Sequence, residues 1–225
     1  MLPILNSYRR CPYAMRARMA LKLAEIEVEI REISLREKPV HMLQVSPKGT
    51  VPVLVLPDSS VIDESLNIMY WAIKQAVFKP DSQFDCAGLE RCSTSLQVNV
   101  YGDVRALILT NDNDFKQSLD RYKYPERYIQ YNLQQNLQQS RLQYRQQGEA
   151  FLLQLEALLQ KNTYLCNPKM SFADIAIFPF VRQFAAVDND WFNASPYPNL
   201  KNWLNTLLDS ALFKSVMEKQ PTYFA

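Results

Sequence analysis

The sequence predicts an α/β domain followed by an all-α domain. Strand-like and helix-like segments alternate over residues 1–77, whereas strand signals fade from residue 86 onward and helical ones replace them. Between the two regions, residues 78–85 are polar and contain Pro80, which is typical of a linker. With 225 residues, of which 48% are hydrophobic, the chain is long enough to bury a core in each domain.

The start of the α/β domain follows from the spacing of its apolar residues. Residues 2–5 are an apolar run that predicts a strand, and residues 12–25 have a helical pattern in which Arg18 falls on the polar face. Alternation over residues 28–33 predicts a second strand. A strand, a helix and a strand within about thirty residues have the size of a crossover unit with parallel strands.

The rest of this domain reads as a short helix, a hairpin and a final helix. Residues 38–45 predict the short helix. Residues 51–56 and 61–62 predict two strands, joined by a turn at residues 57–60 that is rich in turn-forming side chains. Residues 66–77 predict the last helix. The predicted order of elements is therefore β-α-β-α-β-β-α.

The C-terminal domain is predicted to be entirely helical. The segment from Ser171 to Asp174 resembles a capping box ahead of an apolar helix, with aspartate in the place of glutamate. Its role is structural, because such a cap begins a helix that is apolar enough to be buried. The predicted helical segments cover residues 89–109, 126–161, 175–187, 198–208 and 211–219. A break is expected after the first of them, at residues 111–114. The second segment is rich in glutamine.

Charge and hydropathy exclude several classes of function. The net charge of +2 offers no electrostatic case for binding nucleic acid or an anionic membrane. No apolar run approaches the roughly 20 residues that span a bilayer. The first residues lead directly into a strand rather than into a signal segment. We therefore expect a soluble, cytoplasmic protein.

The cysteines and the single histidine do not have the spacing of a metal site. Four scattered cysteines are expected to be free thiols in a chain of this length without a signal, and no metal is expected. His41 lies in a predicted helix. It could pair with a catalytic cysteine, but a surface position is the more common role of such a histidine. The cysteines are Cys11, Cys86, Cys92 and Cys166.

Cys11 is the candidate nucleophile. It lies between the first strand and a helix begun by Pro12, so its sulfur is close to free N–H groups at the positive end of the helix dipole. Arg9 and Arg10 add positive charge beside it. Cysteines in such surroundings have pKa values of roughly 3.5–7.5, against about 8.5 for a free cysteine. The alternative is a small, buried and inert cysteine at the end of a strand.

The motif around Cys11 lacks a second thiol. Ala14 stands where a redox dithiol carries its other cysteine, so Cys11 has no neighbour with which to close a local disulfide. Completion of an exchange cycle then needs an external thiol. This points to a small thiol as cosubstrate.

Two further stretches carry the polar groups of a binding site. Pro52 heads a predicted strand, and a cis bond before it would leave the N–H and C=O groups of Val51 able to pair with an extended ligand. A trans proline on an edge strand is the alternative. Glu64 and Ser65 lie at a helix start, which favours an anion, and together they suit the two charges of an amino-acid headgroup. Plain helix capping would explain them equally well.

In this order and spacing, the features resemble a cytosolic glutathione transferase of the cysteine type, such as the omega-like enzymes and the two-domain glutaredoxins. The resemblance covers nearly the whole chain and implies the glutathione-transferase architecture, with a thioredoxin-like N-terminal domain and a cis bond before Pro52. It is carried by Cys11-Pro12-Tyr13-Ala14, by Ser46-Pro47-Lys48-Gly49-Thr50-Val51-Pro52-Val53-Leu54 and by Asp63-Glu64-Ser65.

The resemblance also implies where glutathione binds. The backbone of Val51 pairs with the cysteinyl part of the tripeptide, while Glu64 and Ser65 hold its γ-glutamyl end. Lys38 and Lys48 lie near the glycyl carboxylate, although Lys48 could equally be a solvated lysine of the turn. The other residues expected around glutathione are Pro12, Tyr13, Thr50 and Pro52.

The remaining implications concern partners. Members of this family are usually homodimers, and their second substrate, here an unidentified electrophile or disulfide, binds between the two domains of one chain. Tyr101 and Arg105 are candidates for the wall of that second site, with ordinary helix packing as the alternative. A cysteine forms a mixed disulfide with glutathione, which a second glutathione resolves. Thiol transfer and reduction are therefore expected to exceed conjugation.

Two other functions remain open on this resemblance. One is a glutathionyl-hydroquinone-type reductase, which shares the cysteine chemistry. The other is a binding or regulatory module, because the fold also hosts proteins that have lost catalysis, and intracellular chloride-channel relatives retain a similar cysteine. Two arginines beside Cys11 argue for retained catalysis.

Overall fold

A computed structural model of the protein describes residues 1–76, 101–128 and 137–224, with only the backbone of residues 101–103. The chain divides into two compact units, Met1–Ser82 with Leu208–Ala225, and Gln83–Leu207. The predicted linker, residues 78–85, lies outside the described residues.

The first unit is built on a four-stranded mixed sheet. Its strand order is β2-β1-β3-β4, in which β1 pairs in parallel with β2 and antiparallel with β3, and β3 pairs antiparallel with β4. The parallel pair is the crossover unit that the sequence predicts. The strands are β1 Ile4–Ser7, β2 Glu29–Glu32, β3 Val53–Val55 and β4 Val61–Ile62.

Three helices complete the predicted order β-α-β-α-β-β-α, which is confirmed. Helices α1 and α3 pack on each other, and α1 buries small side chains such as Ala14 and Ala17. Helix α1 ends earlier than predicted. Glu25 has a left-handed φ of 56°, which is incompatible with continuation of a right-handed helix. The helices are α1 Pro12–Leu23, α2 Val40–Val45 and α3 Ser65–Gln75.

The second unit is helical in the residues described, as predicted. The expected break at residues 111–114 is wrong, because Asn111–Phe115 widens into a π-helical turn that joins two helices without interrupting them. A short helix over Asn189–Ala194 was not predicted. The α-helices of this part of the chain are α4 Tyr101–Thr110, α5 Lys116–Lys123, α6 Leu137–Leu159, α7 Phe172–Ala185, α8 Asn189–Ala194 and α9 Pro198–Asp209.

The last segment of the chain belongs to the first unit, whereas the sequence pattern predicts that it is part of the helical domain. Helix α10, Ala211–Val216, packs against α1. Beyond it, Thr222 forms a parallel bridge with Glu32, and the N–H of Tyr223 donates to the carbonyl of Glu32 at 2.7 Å. These contacts join residues nearly 200 positions apart, which no local pattern can indicate.

The predicted capping box at the start of α7 is confirmed. The Asp174 carboxylate accepts from the N–H of Ser171 at 2.8 Å and from its hydroxyl at 2.6 Å. It also accepts from the N–H of Leu165 at 2.9 Å and from the indole N–H of Trp203 at 2.8 Å. Burial raises the pKa of Asp174, and these donated bonds oppose that effect. One carboxylate thus connects α7, α9 and the preceding loop.

Gly148, in the middle of α6, is required by packing rather than by backbone conformation. A Cβ at this position would lie 2.7 Å from the Cζ atom of Phe184 and closer still to Cε2. The ring of Phe184 is itself held between Phe115 and Tyr122, at centroid distances of 5.1 and 4.9 Å. The ring therefore has no room to move aside.

We expect Gly148→Ala to destabilise the protein by about 1–3 kcal/mol, the usual cost of overpacking a core. In an exposed helix the same change would instead stabilise by up to about 1 kcal/mol. Urea unfolding of the variant measures the difference. Gln147→Ala, at an exposed position of the same helix, is the control and should change stability by less than about 0.5 kcal/mol. A stabilised Gly148→Ala variant would contradict this packing.

Candidate active site

Cys11 is the residue immediately before α1, as the sequence predicts. Its backbone is extended, with φ −72° and ψ 125°, and Pro12 is the first helical residue. The Cys11 N–H donates to the carbonyl of Tyr8 at 3.0 Å, and its own carbonyl accepts from Met15 at 2.9 Å. The side chain is half-buried. A thiol that is partly accessible at a helix N-terminus meets two conditions for reactivity.

The sulfur of Cys11 faces the residue before the predicted special proline. Its thiol donates to the carbonyl oxygen of Val51 at 3.8 Å. The bond between Val51 and Pro52 is cis, which confirms the implication of the resemblance. Pro52 is buried, Val51 half-buried and Thr50 exposed. A carbonyl acceptor stabilises the S–H form, so any stabilisation of the thiolate must come from other groups.

Glu64 and Ser65 begin α3 as predicted. Glu64 is the N-cap residue and is exposed, whereas Ser65 is only 4% exposed. The Ser65 hydroxyl oxygen accepts a hydrogen bond from Nε of Arg16 at 3.0 Å. Because that oxygen is used as an acceptor, the hydroxyl proton is left to donate to an anion at the helix N-terminus.

Arg16 was missed by the sequence analysis. It is 1% exposed, and its guanidinium lies over the ring of Tyr13, with Cζ 5.0 Å from the ring centroid. It therefore joins two of the residues predicted to surround glutathione, Tyr13 and Ser65. The available signal was the pair of arginines, Arg16 and Arg18, in a stretch of α1 whose other residues are mostly apolar.

Lys48 and Glu64 form an ion pair on the surface of this unit. The hydrogen bond and charge of Glu64 raise the pKa of Lys48. Lys38 lies beside the same turn, with its Nζ 3.4 Å from the position that a Cβ on Gly49 would occupy. Gly49 has a φ of +61°, which only glycine adopts without strain. The two lysines and Glu64 thus place a group of exposed charges next to α3.

His41 is half-buried in α2, and its contacts are with groups other than Cys11. Its Nε2 is 3.3 Å from Oδ1 of Asn6, and its ring packs edge-on against Tyr223 at 5.5 Å. Burial, followed by the charge of Arg31, lowers the pKa of His41. These contacts favour a structural histidine over the catalytic pair that the sequence left open.

The other candidates lie elsewhere in the chain. The side chain of Tyr101 is outside the described residues, and Arg105 is exposed on α4, so their assignment to a second site stays a prediction. Cys166 is half-buried and outside any disulfide, as expected, while Cys86 and Cys92 are outside the described residues. Among the residues described, no group of histidine, cysteine and carboxylate side chains is arranged to hold a metal ion, and no helix could span a membrane.

Comparison with known proteins identifies the family of the chain. The model of the glutathione S-transferase N-terminal domain matches residues 10–75, and that of the C-terminal domain matches residues 110–211. Together the two models match well over half of the chain. Glutathione S-transferase omega-1 of Rattus norvegicus is 25% identical over 222 residues, which are 96% of this chain and 81% of that protein.

Solved structures share the fold. A glutathione transferase family member from Pseudomonas fluorescens with two glutathione bound has a TM-score of 0.75 at 14% identity, covering 96% of this chain and 92% of that one. A glutathione transferase of Phanerochaete chrysosporium in complex with oxidized glutathione has a TM-score of 0.74 at 16% identity, covering 95% and 94%. From its two matched domains and its fold, the chain belongs to the glutathione S-transferase family.

Proposed function

We propose that the protein is a glutathione-dependent thiol transferase in which Cys11 is the nucleophile. The observation that carries this proposal is the position of Cys11: an accessible sulfur at the start of α1, 3.8 Å from the carbonyl of Val51. A peptide that pairs with the Val51 backbone would bring its own sulfur to this point. Similarity to an omega-1 transferase along most of the chain supports the same assignment.

Glutathione would bind across the turn and the start of α3. Ser65, whose hydroxyl proton is left to donate, would bind the γ-glutamyl carboxylate together with the free N–H groups of α3. The γ-glutamyl ammonium would replace the ammonium of Lys48 at Glu64. Lys48 would then be released toward the glycyl carboxylate, beside Lys38. The other residues proposed to line the tripeptide are Pro12, Tyr13, Thr50 and Pro52.

The proposed reaction is two successive thiol–disulfide exchanges. The Cys11 thiolate attacks the glutathionyl sulfur of a mixed disulfide, the sulfur–sulfur bond breaks, and the released thiolate takes up a proton. A second glutathione, as its thiolate, then attacks the sulfur of the glutathionyl group on Cys11. This step forms oxidized glutathione and returns Cys11 to the thiolate. Overall, the mixed disulfide and one free glutathione give the thiol of the substrate and oxidized glutathione, whose other half is the glutathionyl group that the substrate carried.

Conjugation is expected to be the weaker activity. In conjugation the glutathione thiolate itself must attack an electrophile, which needs a group that donates to that thiolate. Cys11 as a thiolate has no proton to donate, and in the mixed disulfide the sulfur of glutathione is no longer free. The architecture therefore suits exchange better than conjugation. The activity ratio is measured with a glutathione mixed disulfide of mercaptoethanol and with chlorodinitrobenzene, and a higher kcat/KM for the conjugation substrate would overturn the proposal.

A non-catalytic binding module is the second candidate. The hydrogen bond from the Cys11 thiol to the Val51 carbonyl favours it, because that contact stabilises the unreactive S–H form. The two candidates differ in turnover but not in binding. Retention on immobilised glutathione without turnover of either substrate would favour the module.

Ser65→Ala tests the proposed headgroup site. We expect the KM for glutathione to rise about tenfold or more, since a hydrogen bond to a charged group contributes about 1.5–3 kcal/mol. The kcat should change by less than about threefold, because Ser65 would contact a part of glutathione that does not react. Ser60→Ala, in the exposed hairpin turn, is the control. An unchanged KM in Ser65→Ala would place the γ-glutamyl group elsewhere.

The remaining assignments complete the proposal. The second substrate is a small disulfide or electrophile, and the protein acts in the cytoplasm as a homodimer, as in the proteins it resembles. Light scattering of the purified protein measures its mass in solution.

A further inference from the structure

Arg18, on α1, is a buried charge whose hydrogen bonds all go to neutral acceptors. It is 4% exposed, although the sequence places it on the polar face of its helix. Its guanidinium donates to the hydroxyl of Ser7 at 2.6 Å, to the carbonyl of Arg9 at 2.8 Å and to the carbonyl of Val216 at 3.1 Å. Among the residues described, no carboxylate forms an ion pair with it. Burial of a cation without a carboxylate partner costs free energy, which hydrogen bonds to neutral acceptors offset only in part.

Two of these acceptors, the hydroxyl of Ser7 and the carbonyl of Arg9, lie in the segment that leads to Cys11. The Arg9 carbonyl is held by Arg18, while the Arg9 N–H donates to the carboxylate of Glu32 at 2.8 Å. The following Cys11 N–H closes the turn onto Tyr8. Both peptide groups of Arg9 are thus fixed by charged side chains from other elements. The position of the Cys11 backbone depends on them.

The third acceptor joins this turn to the C-terminal segment. Val216 is the last residue of α10, where the helix dipole favours a cation. Arg9 also reaches this segment, with its Nη1 3.5 Å from the carbonyl of Met217. The end of the chain therefore covers Arg18 and keeps it from water.

The charge of Arg18 acts on three neighbouring groups. Burial lowers the pKa of Arg18 to about 10, the charges of Glu32 and of an ionised Cys11 oppose this shift, and Arg9 adds to it. Arg18 therefore stays a cation at neutral pH. Glu32 already accepts a hydrogen bond from the backbone of Arg9. The sulfur of Cys11 faces the carbonyl of Val51, which disfavours the thiolate. A fixed positive charge nearby opposes that effect, because it stabilises the thiolate.

We propose that Arg18 is a positioning residue for Cys11, which fixes the turn before the cysteine and supplies the buried positive charge that keeps its sulfur ionised. The inference deepens the proposed function and rests on it, since an ionised Cys11 is the nucleophile of that function. A neutral amide side chain could make at most two of these three hydrogen bonds, but it would avoid the cost of a buried charge. The charge itself is therefore the feature to test.

The test is the pH dependence of Cys11 alkylation by iodoacetamide, followed by mass spectrometry of the peptide that contains Cys11. In Arg18→Met, which removes the charge, we expect alkylation at pH 6.5 to slow about tenfold and the profile to move to higher pH, the usual effect of losing a nearby opposite charge. Arg18→Lys keeps the charge but loses the fork of donors, so its alkylation rate at pH 6.5 should lie between those of the wild type and Arg18→Met. Lys22→Met removes an exposed charge from the same helix and should change nothing.

A wild-type profile in Arg18→Met, or a rate in Arg18→Lys that is no higher than that of Arg18→Met, would overturn the proposal. If circular dichroism shows that Arg18→Met does not fold, the Glu32→Gln variant tests the proposal instead. It keeps an acceptor for the Arg9 N–H and removes the anion facing Arg18, so alkylation at pH 6.5 should speed up, and an unchanged or slower rate would overturn the proposal. Turnover of a mixed disulfide by the wild type is measured separately, so failure of the proposed function is distinguishable from failure of this inference.

Discussion

Cys11→Ala should lose the reduction of glutathione mixed disulfides by at least about 10³-fold in kcat/KM, because removal of a nucleophile leaves only binding and background reaction. The loss is chemical, since the reaction passes through a bond to this sulfur. The side chain is half-buried at the start of α1, where alanine is sterically tolerated. A coupled assay with glutathione reductase measures the rate.

Cys166→Ala is the matched control for this variant. Cys166 is also half-buried and outside any disulfide, but it lies in the helical unit. We expect its kcat/KM to stay within about twofold of the wild type, as for substitutions away from the reacting groups. Activity retained in Cys11→Ala and lost in Cys166→Ala would move the nucleophile to the other thiol.

Asp174→Ala should destabilise the protein by about 3–6 kcal/mol, because it leaves the buried N–H donors of Leu165, Ser171 and Trp203 without their acceptor at about 1–3 kcal/mol each. The carboxylate is fully buried and accepts all of these bonds at 2.8–2.9 Å. A loss of this size is a large part of the stability of a typical protein, about 5–15 kcal/mol. Urea unfolding, monitored by tryptophan fluorescence, measures it.

Asp188→Ala provides the comparison, because it removes a cap of the ordinary kind. The half-buried Asp188 accepts one hydrogen bond, from the N–H of Trp191 at 3.0 Å, at the start of α8. We expect a loss of about 1 kcal/mol, which is typical of a helix N-cap. If the two variants were equally stable, the connections that Asp174 makes between α7, α9 and the loop would contribute little.

The features predictable from the sequence were those that depend on neighbouring residues. Pro12 determines where α1 begins, which makes the preceding residue, Cys11, its N-cap. The capping box of Ser171 and Asp174 spans three positions and was equally visible. The order of the first seven elements came from local periodicity.

The features that could not be predicted depend on contacts between distant residues. Arg18 falls on the polar face of α1, yet α10 covers it from almost 200 positions away. Lys48 and Glu64 form an ion pair although they are 16 positions apart, and the types of these two residues do not indicate that the chain brings them together. The helical break expected at residues 111–114 was wrong because tertiary burial of Asn111 and Phe115 outweighs their local preference for a turn.

The most direct measurement is the intact mass of the protein after incubation with oxidized glutathione. We expect the wild type to gain the mass of one glutathionyl group, located on Cys11 by peptide analysis, and to lose it on addition of reduced glutathione. Cys11→Ala should gain none at this position. A wild-type protein that gains no glutathionyl group, or gains it only on another cysteine, would contradict the role of Cys11 as the exchanging thiol.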